Sequence, residues 1–242
     1  MTRRDHKLLQ QPPRVVERYF RLRMYILAKA MTQAIARRLA RPRLQWNERK
    51  RHIALVSALE TMALETARSR RHNFQASTAV LNLALFFLIA ERDVQTLKID
   101  ALTHPNAWQR SLCARVILLT IHELDMDKVA GNRLRQALVD ANVPEEVQKE
   151  VAVCLRAVRS AQQKAQKQFM QLRNSTIAHR DPDAQEQYRA ITQLDEVAVV
   201  RVAAEFYSGT HAFIALLPKV VQHVSGIPGL VSQLSAQSRR KA

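Results

Sequence analysis

Glycine is the residue whose scarcity most constrains this chain, because only four of the 242 residues are glycines. Many tight turns and bulges, and the loops that bind phosphate groups, depend on glycine for their backbone conformations. So few glycines argue against most β-rich folds and against a glycine-rich phosphate loop. Apolar residues instead recur at steps of three and four along most of the chain. The sequence therefore predicts an all-α fold with one core, or one core plus an appendage.

Two helices are predicted in the N-terminal region, after a disordered basic segment formed by residues 1–13. The first runs from Arg14 to about Ala40 and the second, capped by Asn47, runs to about His72. The sequence Arg41-Pro42-Arg43 is expected to break the helix between them. The first helix carries one apolar stripe, for which we expect a place in the core or in a dimer interface: Val16, Phe20, Met24, Leu27, Met31, Ile35 and Leu39.

Further helices are predicted at about 77–92, 106–124, 128–141, 145–178 and 195–217. Asn106 and Asp195 are the expected caps of two of them. Connections are predicted at 93–106 and in a loop that contains Tyr188. The expected architecture is an up-and-down helical bundle at 74–224, with a basic helical N-terminal region at 1–73. Residues 225–242 are expected to form a flexible basic tail.

Positive charge is the second strong feature, since the formal net charge is +17. Residues 1–51 hold fifteen lysines and arginines against three acidic residues, a net charge of +12. A polyanion is the natural partner of such a surface, nucleic acid before membrane, although the excess also serves solubility. The candidate nucleic-acid-binding residues are Arg37, Arg38, Arg41, Arg43, Arg49, Lys50, Arg51, Arg68, Arg70, Arg71 and Arg180.

The segment from Phe169 to Pro182 concentrates the groups with catalytic chemistry. Arg173, Asn174 and His179 lie within seven residues, at the end of a run without glycine or proline. A histidine exchanges protons near neutral pH, and a guanidinium stabilises the charge that develops on a phosphodiester in the transition state. On an unbroken helix Arg173 and His179 would lie about 120° apart, so they converge better if the helix ends before His179, or if two chains bring their segments together.

The segment from Arg173 to His179 resembles the R-x4-6-H signature of HEPN domains, with a polar residue directly after the arginine. The resemblance covers roughly residues 77–224, and only the motif is specific. It implies a homodimeric helical bundle with two motifs facing each other across a cleft, and often a metal-independent endoribonuclease of toxin–antitoxin or anti-phage systems. Arg173 and His179 would then be catalytic and Asn174 supporting.

Two functions from different classes stay open. The first is this endoribonuclease, acting on RNA in cellular defence or growth control, with an antitoxin or another subunit as a possible partner. The second is a catalytically inactive, basic nucleic-acid-binding or scaffold subunit, in which the Arg-to-His segment is only a helix end. No cofactor or metal is expected, because no histidine–cysteine cluster or acidic triad occurs. The absence of a secretory signal or membrane-length apolar run predicts a cytoplasmic protein without a membrane partner.

Overall fold

The computed structural model describes residues 12–124, 126–129, 131–176 and 183–241. No strand occurs among them, which confirms the all-α prediction. The helices, numbered along the chain, are α1 (Pro13–Arg71), α2 (Gln75–Thr103), α3 (Ala107–His122), α4 (Met126–Val129), α5 (Gly131–Asp140), α6 (Glu145–Thr176), α7 (Ala184–Thr192), α8 (Glu196–Ser225) and α9 (Ile227–Lys241).

The core is centred on α2 and α8, which run antiparallel. Phe87 of α2 and Phe213 of α8 are both fully buried and meet edge to face, with ring centroids 5.3 Å apart. Near one end of this pair Ser77 Oγ donates a hydrogen bond to the carbonyl oxygen of Val224 over 3.2 Å. Helices α1 and α3 pack on α2, and α6 packs on α8. As expected from its apolar sequence, α2 buries side chains along its whole length.

The predicted break at Pro42 is wrong, because α1 is one helix of 59 residues that contains this proline. Proline removes one helical hydrogen bond, at a cost of about 3 kcal/mol. The packing of α1 along α2 outweighs this cost, and it includes ion pairs on either side of Pro42: Arg41 Nη2 lies 2.8 Å from Asp100 Oδ1, and Lys98 Nζ lies 2.5 Å from Glu48 Oε2. Both contacts join α1 to the last turns of α2. Because the helix is unbroken, Arg41 and Glu48, on either side of the proline, both face α2.

Residues 13–40, called the arm below, precede these contacts. Apart from Val16, Arg37 and Ala40, which are half-buried, every residue of the arm is exposed. At a rise of about 1.5 Å per residue the arm is about 42 Å long. Its apolar stripe is therefore not part of the core of this chain as described.

The connection predicted at 93–106 is also too long, since α2 continues to Thr103. Val94, Ala101 and Thr103 are buried, so packing stabilises the helical conformation of this segment. The helix ends at His104, which is extended because Pro105 follows it. Asn106 caps α3 as predicted, and its side-chain oxygen accepts a hydrogen bond from the Trp108 amide over 2.8 Å.

Tyr188, expected in a loop, lies in helix α7. Asp183 caps this helix, and its carboxylate accepts a hydrogen bond from the Gln185 amide over 2.9 Å. The Tyr188 ring stacks on Trp108 of α3 with centroids 6.4 Å apart. Asp195 caps α8 in the same way, through the amides of Val197 and Ala198, and this cap was predicted.

The C-terminal residues, expected as a flexible tail, form helix α9 over Ile227–Lys241. One buried side chain fastens this helix to the core. Gln233 Nε2 donates to the Val224 carbonyl over 2.7 Å, and Gln233 Oε1 accepts from the Ala76 amide over 2.9 Å. The two cysteines, Cys113 and Cys154, are free and buried.

Candidate nucleic-acid interface

The Arg-to-His segment begins inside the last described turn of helix α6. Arg173 and Asn174 belong to the last described turn of this 32-residue helix, and their side chains lie outside the described residues. His179 and Arg180 also lie outside the described residues. Leu172, just before the motif, is only 7% exposed. The turn that carries Arg173 is therefore packed against the bundle.

Ion pairs between α6 and α8 show at which end of the bundle this turn lies. Lys219 Nζ is 2.7 Å from Glu150 Oε1, and Lys164 Nζ is 2.6 Å from Glu205 Oε2. Positions later in α6 thus lie beside positions earlier in α8, as in any antiparallel pair. Arg173 lies about two and a half turns after Lys164 on α6. The same register therefore places Arg173 level with the first residues of α8.

The base of the arm lies at this same end of the bundle. Glu196, the first residue of α8, is 3.4 Å from Arg110 Nε, and Arg110 Nη1 donates to the His104 carbonyl over 2.8 Å. His104 directly follows α2, whose Asp100 pairs with Arg41. The positively charged arm therefore leaves the bundle at the level of the turn that carries Arg173.

The candidate nucleic-acid-binding residues on α1 form two separate groups. The first covers residues 37–51 and the second covers 68–71; Arg51 and Arg70 are about 28 Å apart along the helix. Most are exposed, but some side chains already have partners. Arg41 pairs with Asp100, and the Arg51 guanidinium lies 5.9 Å above the Tyr207 ring. These two arginines contribute to the packing of α1 on the bundle.

Arg70, from the second group, lines a groove of about 630 Å³ at the opposite end of the bundle. Arg70 Nη2 donates to Asn82 Oδ1 over 2.7 Å, and Arg133 of α5 lines the other side of the groove. Asp140 adds one carboxylate, which accepts a hydrogen bond from Gln136 over 2.9 Å. The two guanidinium groups, the side-chain amides and the one hydroxyl group that line this groove can together bind a phosphate group.

Arg133 is the residue of this groove that sequence reasoning missed. It lies 63 positions after Arg70 in the sequence, on a short helix whose other basic residue is Arg135. The groove also contains Thr78, whose Oγ1 is buried and has no hydrogen-bond partner among the described residues. Only the packing of α5 on α2 brings Arg133, Thr78 and Arg70 together.

A buried carboxyl group lies between α2 and α8, behind Tyr207. Glu91 is 4% exposed, and burial raises its pKa above the ordinary value of 4.5. The Thr210 hydroxyl donates a hydrogen bond to Glu91 Oε1, and this bond with the charges of His211 and Lys98 opposes the rise. Because Glu91 is closed off from solvent, we assign it to the packing of the two helices rather than to chemistry on a substrate.

His122 lines a second groove of about 370 Å³ together with Arg159 and Gln162. Its Nδ1 lies 3.4 Å from Glu123 Oε1. Within the described ranges, no three histidine, cysteine, aspartate or glutamate side chains are placed to hold a metal ion together. It stays a prediction that this protein needs no metal ion.

Comparison of the chain with protein-family models, with curated proteins and with solved structures gives no match. Among the described residues no single helix is long and apolar enough to cross a membrane. Helices α8 and α9, taken together across a bend of 62°, pass the same test of length and composition.

Proposed function

We propose that this protein is a metal-independent endoribonuclease that cleaves RNA with Arg173 and His179, in a bundle of the HEPN type. The observation that carries the proposal is the position of the motif between two helices. Arg173 lies on the last described turn of α6, and α7 begins at Ala184 behind the Asp183 cap. His179 is one of residues 177–182, which follow the last described turn of α6 and precede Asp183 in the sequence.

The chemistry needs no metal ion. The 2′-hydroxyl of the ribose attacks the adjacent phosphorus, and His179 takes the proton from this hydroxyl as a general base. The Arg173 guanidinium holds the phosphate and stabilises the negative charge that grows on its oxygens. Asn174 orients a phosphate oxygen or the imidazole. The 5′-oxygen leaves, and a proton donated by a histidine or by water completes the reaction.

The charge distribution supports RNA as the substrate. The net charge is +17, and the basic arm leaves the bundle at the level of Arg173. Lysine and arginine side chains attract phosphates and release their counterions on contact, so a strand of RNA gathers at this end. By the HEPN resemblance the active form is a homodimer, in which two motifs share a cleft, and the cellular role is defence or growth control. An antitoxin or other subunit would then control the activity.

The test is RNA cleavage by the wild type and by His179→Ala in EDTA. We expect the wild type to cleave and the variant to lose at least about 100-fold in rate, as is usual for loss of a general base. His211→Ala is the matched control, because His211 is an exposed histidine of α8 whose ring stacks on Tyr207. Equal cleavage by His179→Ala and wild type, or wild-type activity that disappears in EDTA, would reject the mechanism.

One observation favours a second candidate, a nucleic-acid-binding scaffold without catalytic activity. The groove with Arg70 and Arg133 lies at the end of the bundle opposite Arg173, so it binds phosphates away from the proposed catalytic turn. Under this alternative neither the wild type nor His179→Ala cleaves RNA, and both bind it with the same steep salt dependence.

A further inference from the structure

Trp46 is an exposed tryptophan in the basic stretch 37–51 of helix α1, and neither the fold nor the proposed catalysis uses it. Its side chain is 64% exposed, although an indole is large and mostly apolar. Among the described residues no other ring and no guanidinium stacks on it. The indole is therefore open to contact with another molecule.

Three basic side chains surround Trp46 on the same side of the helix. Arg43, Arg49 and Lys50 lie three positions before it, three after it and four after it. Each is within about 60° of Trp46 around the helix axis. All three are exposed, and within the described ranges none has an ion pair or a hydrogen bond through its side chain. Their charges are therefore available to a ligand that contacts the indole.

No carboxylate competes for these charges on this side of α1. Glu48 is the only acidic residue between Glu17 and Glu60. It lies on the opposite side of the helix, about 160° from Trp46, and it pairs with Lys98 of α2. The outer side, called the Trp46 face below and formed by residues 43, 46, 49 and 50, thus presents an indole and three cations. Its ligand should carry negative charge and a flat apolar group.

We propose that the Trp46 face binds single-stranded RNA, with an unpaired base stacked on the indole and the neighbouring phosphates held by Arg43, Arg49 and Lys50. Every nucleobase has a π-face that stacks on an aromatic ring, and basic side chains neutralise the phosphates beside it. In a duplex the bases already stack on one another, so only an unpaired base reaches the indole. Acidic protein side chains would satisfy the cations, but glutamate and aspartate have no ring to stack on Trp46.

This role of Trp46 rests on RNA as the ligand in the proposed function, and it specifies which form of RNA binds. The Trp46 face lies next to the contact of Arg41 with Asp100, at the level of the turn that carries Arg173. RNA on this face is therefore held at the end of the bundle where cleavage is proposed. Binding and cleavage use different residues, so each can be measured without the other.

The first test follows the fluorescence of Trp46 itself, in a His179→Ala background in which RNA stays intact. The chain has two tryptophans, so Trp108→Phe leaves Trp46 as the only indole. A single-stranded RNA oligonucleotide should quench this fluorescence on binding, because a base stacks on the ring. A duplex RNA of the same length should bind through its phosphates and leave the fluorescence unchanged.

Removal of the ring should weaken the binding of single strands selectively. Trp46→Ala should raise the dissociation constant for single-stranded RNA by at least about 5-fold, and Trp46→Phe should recover most of the affinity. The dissociation constant for the duplex should stay the same. Leu64→Ala is the matched control, because Leu64 is also a large, exposed apolar residue of α1, and it should bind both RNAs like the parent protein.

Removal of the charges should have a different effect from removal of the ring. Arg43→Gln combined with Lys50→Gln should weaken the binding of both single-stranded and duplex RNA. It should also lower the slope of log affinity against log salt, because phosphates are no longer neutralised. Trp46→Ala should leave this slope unchanged, since it removes no charge.

The outcomes separate this role of Trp46 from the proposed nuclease. Unquenched fluorescence, or a Trp46→Ala affinity for single strands within about twofold of the parent, overturns the role of Trp46 and leaves the proposed cleavage standing. Selective loss of single strands by Trp46→Ala, when the wild type does not cleave, supports the Trp46 face and rejects the nuclease. A wild type that binds no RNA rejects both. If Trp46→Ala keeps its affinity for RNA and loses binding to poly-glutamate, the face binds an acidic protein instead.

Discussion

The backbone amide of Ala76, at the start of α2, donates a 2.9 Å hydrogen bond to Oε1 of Gln233, on the C-terminal helix. The two residues are 157 positions apart in the sequence. Ala76 is fully buried and Gln233 is 2% exposed, so water cannot replace either partner. This one amide side chain joins the last helix of the chain to the first turn of its central helix.

Gln233→Ala should therefore destabilise the protein by about 1–3 kcal/mol. The substitution leaves the buried Ala76 amide without its partner, and one unsatisfied buried group costs about that much, whereas the Val224 carbonyl still accepts the hydrogen bond from Ser77 Oγ. Urea unfolding measures the change. Ser235→Ala, at an exposed position of the same helix, is the control and should change the free energy of unfolding by less than about 0.5 kcal/mol. An equal effect of both substitutions would mean that α9 is not fastened through Gln233.

Stability should depend on pH through Glu91. Burial raises the pKa of this carboxyl above 4.5, so the folded state holds the proton at pH values where the unfolded state has released it. The stabilisation is complete below pH 4.5 and is lost as the pH rises through the folded pKa. The Glu91→Gln variant has no carboxyl group to ionise at this position, so it does not lose this stability as the pH rises.

We therefore expect Glu91→Gln to be more stable than the wild type at neutral pH, and the difference to disappear in acid. Denaturant unfolding from about pH 4 to about pH 8 measures it. Glu60→Gln, at an exposed position of α1, is the control variant. A constant difference for Glu91→Gln would show that burial does not raise the pKa of this carboxyl.

The groove between α2 and α5 predicts a change in salt dependence. Arg70→Gln combined with Arg133→Gln should weaken RNA binding, and it should lower the slope of log affinity against log salt by about 0.7 for each phosphate that the protein no longer neutralises. The control, Arg156→Gln combined with Arg201→Gln, removes the same charge from exposed positions of α6 and α8. Fluorescence anisotropy over a series of salt concentrations gives both slopes. If the two double variants behave alike, the groove is not a binding site and only net charge acts.

Local sequence determined the features that depend on neighbouring residues. The scarcity of glycine and the apolar steps of three and four predicted an all-α protein, and the described residues confirm it. The caps at Asn106 and Asp195 were also predicted, because a cap is a hydrogen bond between a side chain and an amide two or three positions later. The division into domains and the roles of Arg173, Asn174 and His179 stay predictions.

Tertiary structure decided the features whose stabilising contacts come from distant residues. The helix α1 continues through Pro42 because it packs along α2 on both sides of the proline, with Arg41 beside Asp100 and Glu48 beside Lys98. Helix α9 forms in a segment that contains Gly226 and Pro228, because Gln233 finds buried partners on other helices. Arg133 joins Arg70 in one groove only because α5 packs on α2. Each of these depends on contacts that no local window of sequence contains.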